Sequence, residues 1–421
     1  MVYRRTRNRL RANQLPLVWL TLCMLLAPGC GDGGGEGGIG GGGTSGLATI
    51  GGGEGTAASV YVTNTGSNDV SAYSINPSTG GLAVISGSPF VDVPAPSAIA
   101  LSSNGFFAYI ANGRTNKVTA FRIGTNGALL LGASTPDTPN PASVGTAPRA
   151  LAISRDSRFL YVANSGSDTV TGFSIGAAGV LTLVPQTTGN PNPVSAGGLS
   201  PVALAMSSTG RVLYVANSTS STITTFQVES SGLLTQVPQA GPGTNPISTN
   251  VAGPTALAMS PNGQFLYVTN SASNTVTAFR VETSGLLTLI PPTGSTPNPV
   301  STGGTTPNSI AVVRNGVHLY IANGGGTVSA FTIGSNGLLA LVPASGTVQN
   351  PTPTLVAGST PTALTISQDG QFLYVANSGG TVSAYTIASD SGTLIPLTQL
   401  LGNPFRTGTN PSAIAVSGPT L

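Results

Sequence analysis

From residue 57 onward, apolar and polar positions alternate in short runs that never adopt a helical spacing. Residues 254–260 (PTALAMS) alternate small and large apolar side chains, and 261–263 (PNG) supply a tight turn. Residues 264–270 (QFLYVTN) form a continuous apolar run, the pattern of a strand covered on both faces. A polar loop leads to 275–281 (TVTAFRV), and 282–285 (ETSG) turns the chain into 286–290 (LLTLI). The pattern predicts four short antiparallel strands joined by turn residues.

This phrase returns seven times. Its second strand carries Tyr61, Tyr109, Tyr161, Tyr214, Tyr267, Tyr320 and Tyr374, spaced 48, 52, 53, 53, 53 and 54 residues apart. A fixed period of this size means repeated units that bury their faces against their neighbours. One four-stranded sheet cannot cover both of its faces, but seven arranged radially can, leaving only short edges. The Ala-x-Ala of the first strand suits the crowded centre of such a ring.

The two ends of the repeat predict closure. The Tyr61 unit has no first strand before it, whereas a spare copy, 411–417 (PSAIAVS), stands at the C-terminus. The expected fold is all-β, a seven-bladed β-propeller of four-stranded antiparallel blades, with the C-terminal strand completing the N-terminal blade. Pro-x-Ala-Leu-Ala-x-Ser, Asn/Asp-Gly, Phe-Leu-Tyr-Val-Ala/Thr-Asn and Val-Thr/Ser-Ala-Phe/Tyr together resemble the YVTN-type repeats of the lactonase-like seven-bladed propeller family, over residues 57–421. That resemblance implies 6-phosphogluconolactonase or related lactone chemistry in some members. In others it implies an envelope repeat protein without catalysis.

The N-terminus reads as an address. Arg4, Arg5, Arg7, Arg9 and Arg11 precede an apolar run from Leu15 to Leu26 that is short for a membrane span, and residues 27–30 (APGC) close it. The segment resembles a bacterial lipobox with Ala27 and Pro28 as departures. The expected organisation is a signal peptide over 1–29, a lipidated Cys30 with a tether over 30–56, and the propeller over 57–421. Residues 31–56 hold 15 glycines in 26 positions, a flexible spacer of about 28 Å root-mean-square span. The expected location is the cell envelope, lipid-anchored to a membrane (the outer one favoured) and periplasmic or surface-exposed.

Cleavage before Cys30 changes two other readings. Cys23 leaves with the signal and Cys30 is acylated, so no disulfide or cysteine metal site is expected. With ten basic and twelve acidic residues remaining, the net charge becomes −2, and the basic balance of the precursor carries no implication of nucleic-acid binding. Trp19 lies in the signal, which removes the tryptophan signature of other propeller families.

Candidate chemistry is sparse. His318, the one histidine, occupies the second-strand slot held elsewhere by Phe107, Phe159, Val212, Phe265 and Phe372, so it reads as packing. Asp156 and Asp369 stand where sister repeats have asparagine in a turn. The loops after second strands and the long crossings between blades share one rim. Its charged residues, Asp69, Asp92, Arg114, Lys117, Asp137, Arg149, Asp168 and Arg406, avoid blades four to six. Arg149 is the one charged residue among the seven x positions of Pro-x-Ala. These considerations nominate Arg149, Arg114, Lys117, Asp137 and Asp168 as a ligand site on that rim, with a guanidinium able to grip a carboxylate or phosphate. The function expected first is a monomeric binding module for a protein, a glycan or a small anionic ligand, with no metal or cofactor. Lactone hydrolysis, with Asp137 or Asp168 as base, is the alternative.

Overall fold

A computed structural model describes residues 58–185, 191–238, 245–344, 349–353, 359–398 and 402–418. The chain divides into two units, Met1–Gly52 and Gly53–Leu421, and all described residues belong to the second. The expected signal peptide, Cys30 and the expected tether lie outside the described residues.

The second unit is all-β and consists of seven antiparallel sheets, each one blade. In blade five the strands Pro254–Met259, Phe265–Asn270, Thr275–Val281 and Leu287–Leu289 pair in that order from the inside outward. These are the four strands expected from the apolar pattern. The second strand is buried at every residue in six of the seven blades, because it is sandwiched between two neighbouring blades. Only Phe107 opens slightly, in blade two.

Blade one is assembled from both ends of the chain. Pro411–Val416 pairs antiparallel with Ser59–Asn64, setting Val416 opposite Val60 and Ile414 opposite Val62. The Ser417 amide donates to the Ser59 carbonyl at 2.8 Å, and the Ser59 amide donates to Ser417 Oγ at 3.0 Å. The ring is closed in the manner the spare repeat predicts.

The core consists of seven apolar clusters, one in each seam between blades. Between blades two and three, Tyr109, Val118 and Ala120 meet Leu160, Val162, Phe173 and Leu181. Each repeat tyrosine crosses its seam and donates to a glycine carbonyl in the third-to-fourth-strand turn of the next blade. Tyr109 reaches Gly179 at 3.0 Å, Tyr214 reaches Gly285 at 2.9 Å, and Tyr320 reaches Gly392 at 2.7 Å. Burial pushes the Tyr61 phenol up to about 12 and raises the other six as well.

The same glycines press on the slot that contains His318. Gly392 has φ +71°, and a Cβ there would lie 2.2 Å from His318 Cδ2. Gly179 stands in the same way over Phe107, and Gly337 over Phe265. His318 is therefore a packing residue, 2 % exposed.

The crossings between blades are more ordered than polar connections would be. Each of blades two to seven carries a fifth, two-residue strand from its crossing, such as Val300–Ser301 against Thr275 and Val276. An asparagine just before it fills the gap where the third and fourth strands splay. Asn298 accepts from the Ala278 amide at 2.9 Å and donates to the Ala278 and Ile290 carbonyls at 2.8 Å. A side-chain amide thereby satisfies backbone groups that would otherwise be unpaired.

Candidate functional site

The long-crossing rim receives the five nominated residues but does not gather them into one constellation. Arg114 is exposed in the turn between Phe107–Asn112 and Lys117–Ile123, and Lys117 is half-buried opposite Ser143. Asp137 is exposed in a crossing turn closed by mutual backbone bonds between Thr135 and Thr138. Asp168 lies at φ +55° and accepts from the Ser200 amide at 2.6 Å. Asn68, Asn116 and Asn274 make the equivalent bond to Ala95, Ala147 and Thr306 in their own repeats. Asp168 is thus a turn anchor, which leaves it poorly suited to proton transfer.

Arg149 is exposed at the start of the inner strand Pro148–Ile153. Four of its six sister residues work as clips between blades. Ser97, Thr255, Asn308 and Ser412 donate to the carbonyls of Pro148, Pro307, Pro361 and Pro96 at 2.6, 2.7, 3.1 and 2.6 Å. Arg149 makes no such bond, and among the described residues its guanidinium has no hydrogen-bond or ion-pair partner.

The opposite rim holds a cleft of about 880 Å³ between blades three and four. Arg155, Asp156 and Arg158 reach it from the first turn of blade three. Arg211 comes from the first turn of blade four, and Gln227 and Glu229 from the end of that blade's third strand. The local sequence explains the turn: Ser154 Oγ donates to Asp156 Oδ1 at 2.6 Å, and the Arg158 amide donates to the same oxygen at 3.2 Å. Burial raises the Asp156 carboxyl, but the Ser154 bond, the Arg158 amide and the Arg158 charge outweigh it and hold it below its ordinary value.

The three guanidiniums are fixed differently. Arg158 packs on the Phe159 ring with its Cζ 5.1 Å from the centroid. Arg155 donates across the seam to the Ser208 carbonyl at 2.9 Å. Arg211 is exposed beside Gln227 and Glu229. Glu229 accepts from Thr235 Oγ1 on Oε1 at 2.5 Å, a contact that orients the carboxylate. The cleft can therefore hold an anion between planar cations and present a carboxylate beside it. Among the described residues no three His, Cys, Asp or Glu side chains converge as metal ligands.

Sequence reasoning missed this cleft because Asp156 read as a turn residue and Glu229 stands in the short turn between third and fourth strands. The available signal was the same phrase position, just before the second strand, holding Arg158 and Arg211 in consecutive repeats.

Residues 54–251, which include every residue lining the cleft, match the family model described as Lactonase, 7-bladed beta-propeller. No curated protein sequence matches the chain. Among solved structures, a candidate 6-phosphogluconolactonase from Bacteroides uniformis is similar at 20 % identity and a TM-score of 0.66, covering 86 % of this chain and 99 % of that one. A periplasmic gluconolactonase from Pseudomonas aeruginosa is similar at 19 % identity and a TM-score of 0.64, again covering 86 % and 99 %. A protein from Lactobacillus plantarum has a TM-score of 0.64 at 19 % identity, with the same coverage. By fold the chain is a seven-bladed β-propeller, and its residues 54–251 match the lactonase propeller family model.

Proposed function

We propose that the chain opens a lactone ring in the cleft between blades three and four, on an acidic substrate such as a phosphorylated or carboxylated sugar lactone. The observation that carries the reading is the convergence of Arg155, Arg158 and Arg211 with Glu229 in one open cleft. The lactonase family match and the gluconolactonase among the fold neighbours support the same chemistry.

In this reading Arg158 and Arg211 hold the substrate's anionic group. Glu229 takes a proton from a water that attacks the lactone carbonyl carbon. The tetrahedral oxyanion is stabilised by a guanidinium. Its collapse breaks the bond to the ring oxygen, which leaves as a hydroxyl carrying the proton from Glu229. The experiment is hydrolysis of phosphorylated and plain sugar lactones by the purified domain, compared with Glu229→Gln and Arg211→Ala.

A second reading, a binding module acting through the long-crossing rim, is favoured by one observation. Arg149 makes no clip of the kind four of its sisters make and stands exposed without a partner among the described residues. A carboxylate or phosphate of a protein, glycan or small ligand is what such a group would take. We also propose an envelope location with a lipid on Cys30, which the arginine-rich start, the apolar run and the glycine tether support. Membrane fractionation of Cys30→Ser tests it, since release of an otherwise folded protein is expected.

A further inference from the structure

The seven seams of the ring are not equally fastened. Inner-strand clips join blades one to two, two to three, five to six and six to seven, through Ser412, Ser97, Thr255 and Asn308. Arg149 should clip blade three to Pro201 of blade four and does not. Val202 should clip blade four to Pro254 of blade five and has no polar atom with which to do so. Thr362 turns its hydroxyl to Ala376 of its own blade at 3.2 Å. Among the described residues, blade four is thus the one blade without an inner clip on either side.

A second observation concerns the packing of blade four against blade five. Val212 fills, with fewer atoms, the slot that holds a ring in Phe107, Phe159, Phe265, His318 and Phe372. The third concerns position. Blade four supplies Arg211, Gln227 and Glu229, one whole wall of the charged cleft, while blade three supplies the other. Among the described residues, the side-chain bonds that cross this seam on the cleft side run from Arg155 to the Ser208 carbonyl and from Tyr161 to the Gly232 carbonyl. A second cleft, lined by Gln371, Phe372 and Ile395 of blade seven with Ser78 of blade one, also lies at an unclipped seam.

From these three observations we infer that blade four moves as a unit within the ring and sets the width of the cleft between it and blade three. The inference rests on the cleft being the working site, as proposed above. The tyrosine bonds from Tyr161 to Gly232 and from Tyr214 to Gly285 stay in place as pivots on its outer side. The inner ends, free of clips, make the excursion. Glu229 stays at the pivot, because its turn is closed on Gly232, and Arg211 on the first-to-second-strand turn is the residue that approaches or leaves Arg155 and Arg158.

Hydrogen exchange of the full chain, resolved by mass spectrometry, tests the motion without any substrate. Amides of Pro201–Met206 and Val212–Asn217 should exchange at least about tenfold faster than those of Pro254–Met259 and Phe265–Asn270, since local opening follows local fastening. The double variant Arg149→Ser, Val202→Thr supplies both missing clips and should bring blade four to the rate of blade five. Thr255→Val removes an existing clip and should raise exchange in blades five and six. Equal rates in blades four and five of the native chain would overturn the inference, as would a double variant that leaves blade four unchanged. A failure of lactone hydrolysis with the exchange pattern intact would count against the proposed activity and leave the motion standing.

Discussion

The Tyr374 hydroxyl donates to the Gly80 carbonyl at 3.0 Å across 294 residues of chain. This is the same seam-crossing bond that Tyr109 makes to Gly179 across 70 residues. Local in six seams, it becomes the bond between the two ends of the chain in the seventh. Tyr374→Phe removes the donor and leaves a buried carbonyl unpaired, at a cost of about 1–3 kcal/mol. Thermal unfolding should show a lowered midpoint of the same order as for Tyr214→Phe, and a silent Tyr374→Phe would mean that the closing seam bears no load.

Removal of residues 411–421 is the severer test of closure. It deletes the strand Pro411–Val416 and bares Ser59–Asn64 as an open edge, a template for aggregation. The shortened domain should be largely insoluble or unfold without one cooperative transition. A truncation that melts like the parent would contradict the closed ring.

The ring of tyrosines predicts how the protein fails in alkali. Their folded-state pKa values are raised from 10.0, with Tyr61 at about 12, so the folded state binds protons that the unfolded state has released. The stabilisation is fully present below pH 10 and is lost as pH climbs through the folded values. Tyrosinate absorbance should therefore rise in one step with loss of the fold. Seven independent titrations in a protein still folded would contradict the burial described.

His318 gives the opposite sign. Burial lowers its pKa from 6.5, against a smaller raising effect of Asp390, so the neutral form is the one the fold holds. Its contribution is present above the unfolded value and declines as pH falls below about 6.5. His318→Phe should be neutral or stabilising near pH 7 and should flatten this acid-side loss. A variant that abolished activity while unfolding normally would make His318 a working residue after all.

Much of this architecture was legible because the fold repeats its own instructions. Asn262-Gly263 marks a turn, Tyr267 marks a doubly covered strand, and the orphan repeat at Pro411 marks closure. The crossing strands were not legible, because Val300 and Ser301 pair through two residues whose order depends on Asn298 bonding far along the chain. The cleft was hidden for a related reason. Arg158 and Arg211 stand 53 positions apart and meet only because adjacent blades present equivalent positions side by side. On the other rim, the sequence singled out Arg149 as the one charged residue at its repeat position. What it could not show was that four of the sister residues are clips, or that Asp168 is occupied by the Ser200 amide.

Arg149→Ala separates the two rims. A ligand held by Arg149 should lose at least about tenfold in affinity, since a charge-assisted hydrogen bond contributes about 1.5–3 kcal/mol and 1.4 kcal/mol is tenfold. The same change should leave lactone hydrolysis in the opposite cleft within about twofold, because an exposed arginine on the far rim touches no cleft residue. Calorimetry with a confirmed ligand checks the first expectation and a rate assay the second.

The most direct measurement is the turnover of a phosphorylated sugar lactone by the purified propeller and by its Glu229→Gln and Arg211→Ala forms. The cleft account predicts measurable ring opening by the parent. Glu229→Gln should fall by at least about a hundredfold in kcat, the usual worth of a general base. Arg211→Ala should act mainly through KM, by at least about tenfold. Ring opening that survives both substitutions undiminished would contradict the account, as would a folded parent inert toward phosphorylated and plain lactones alike.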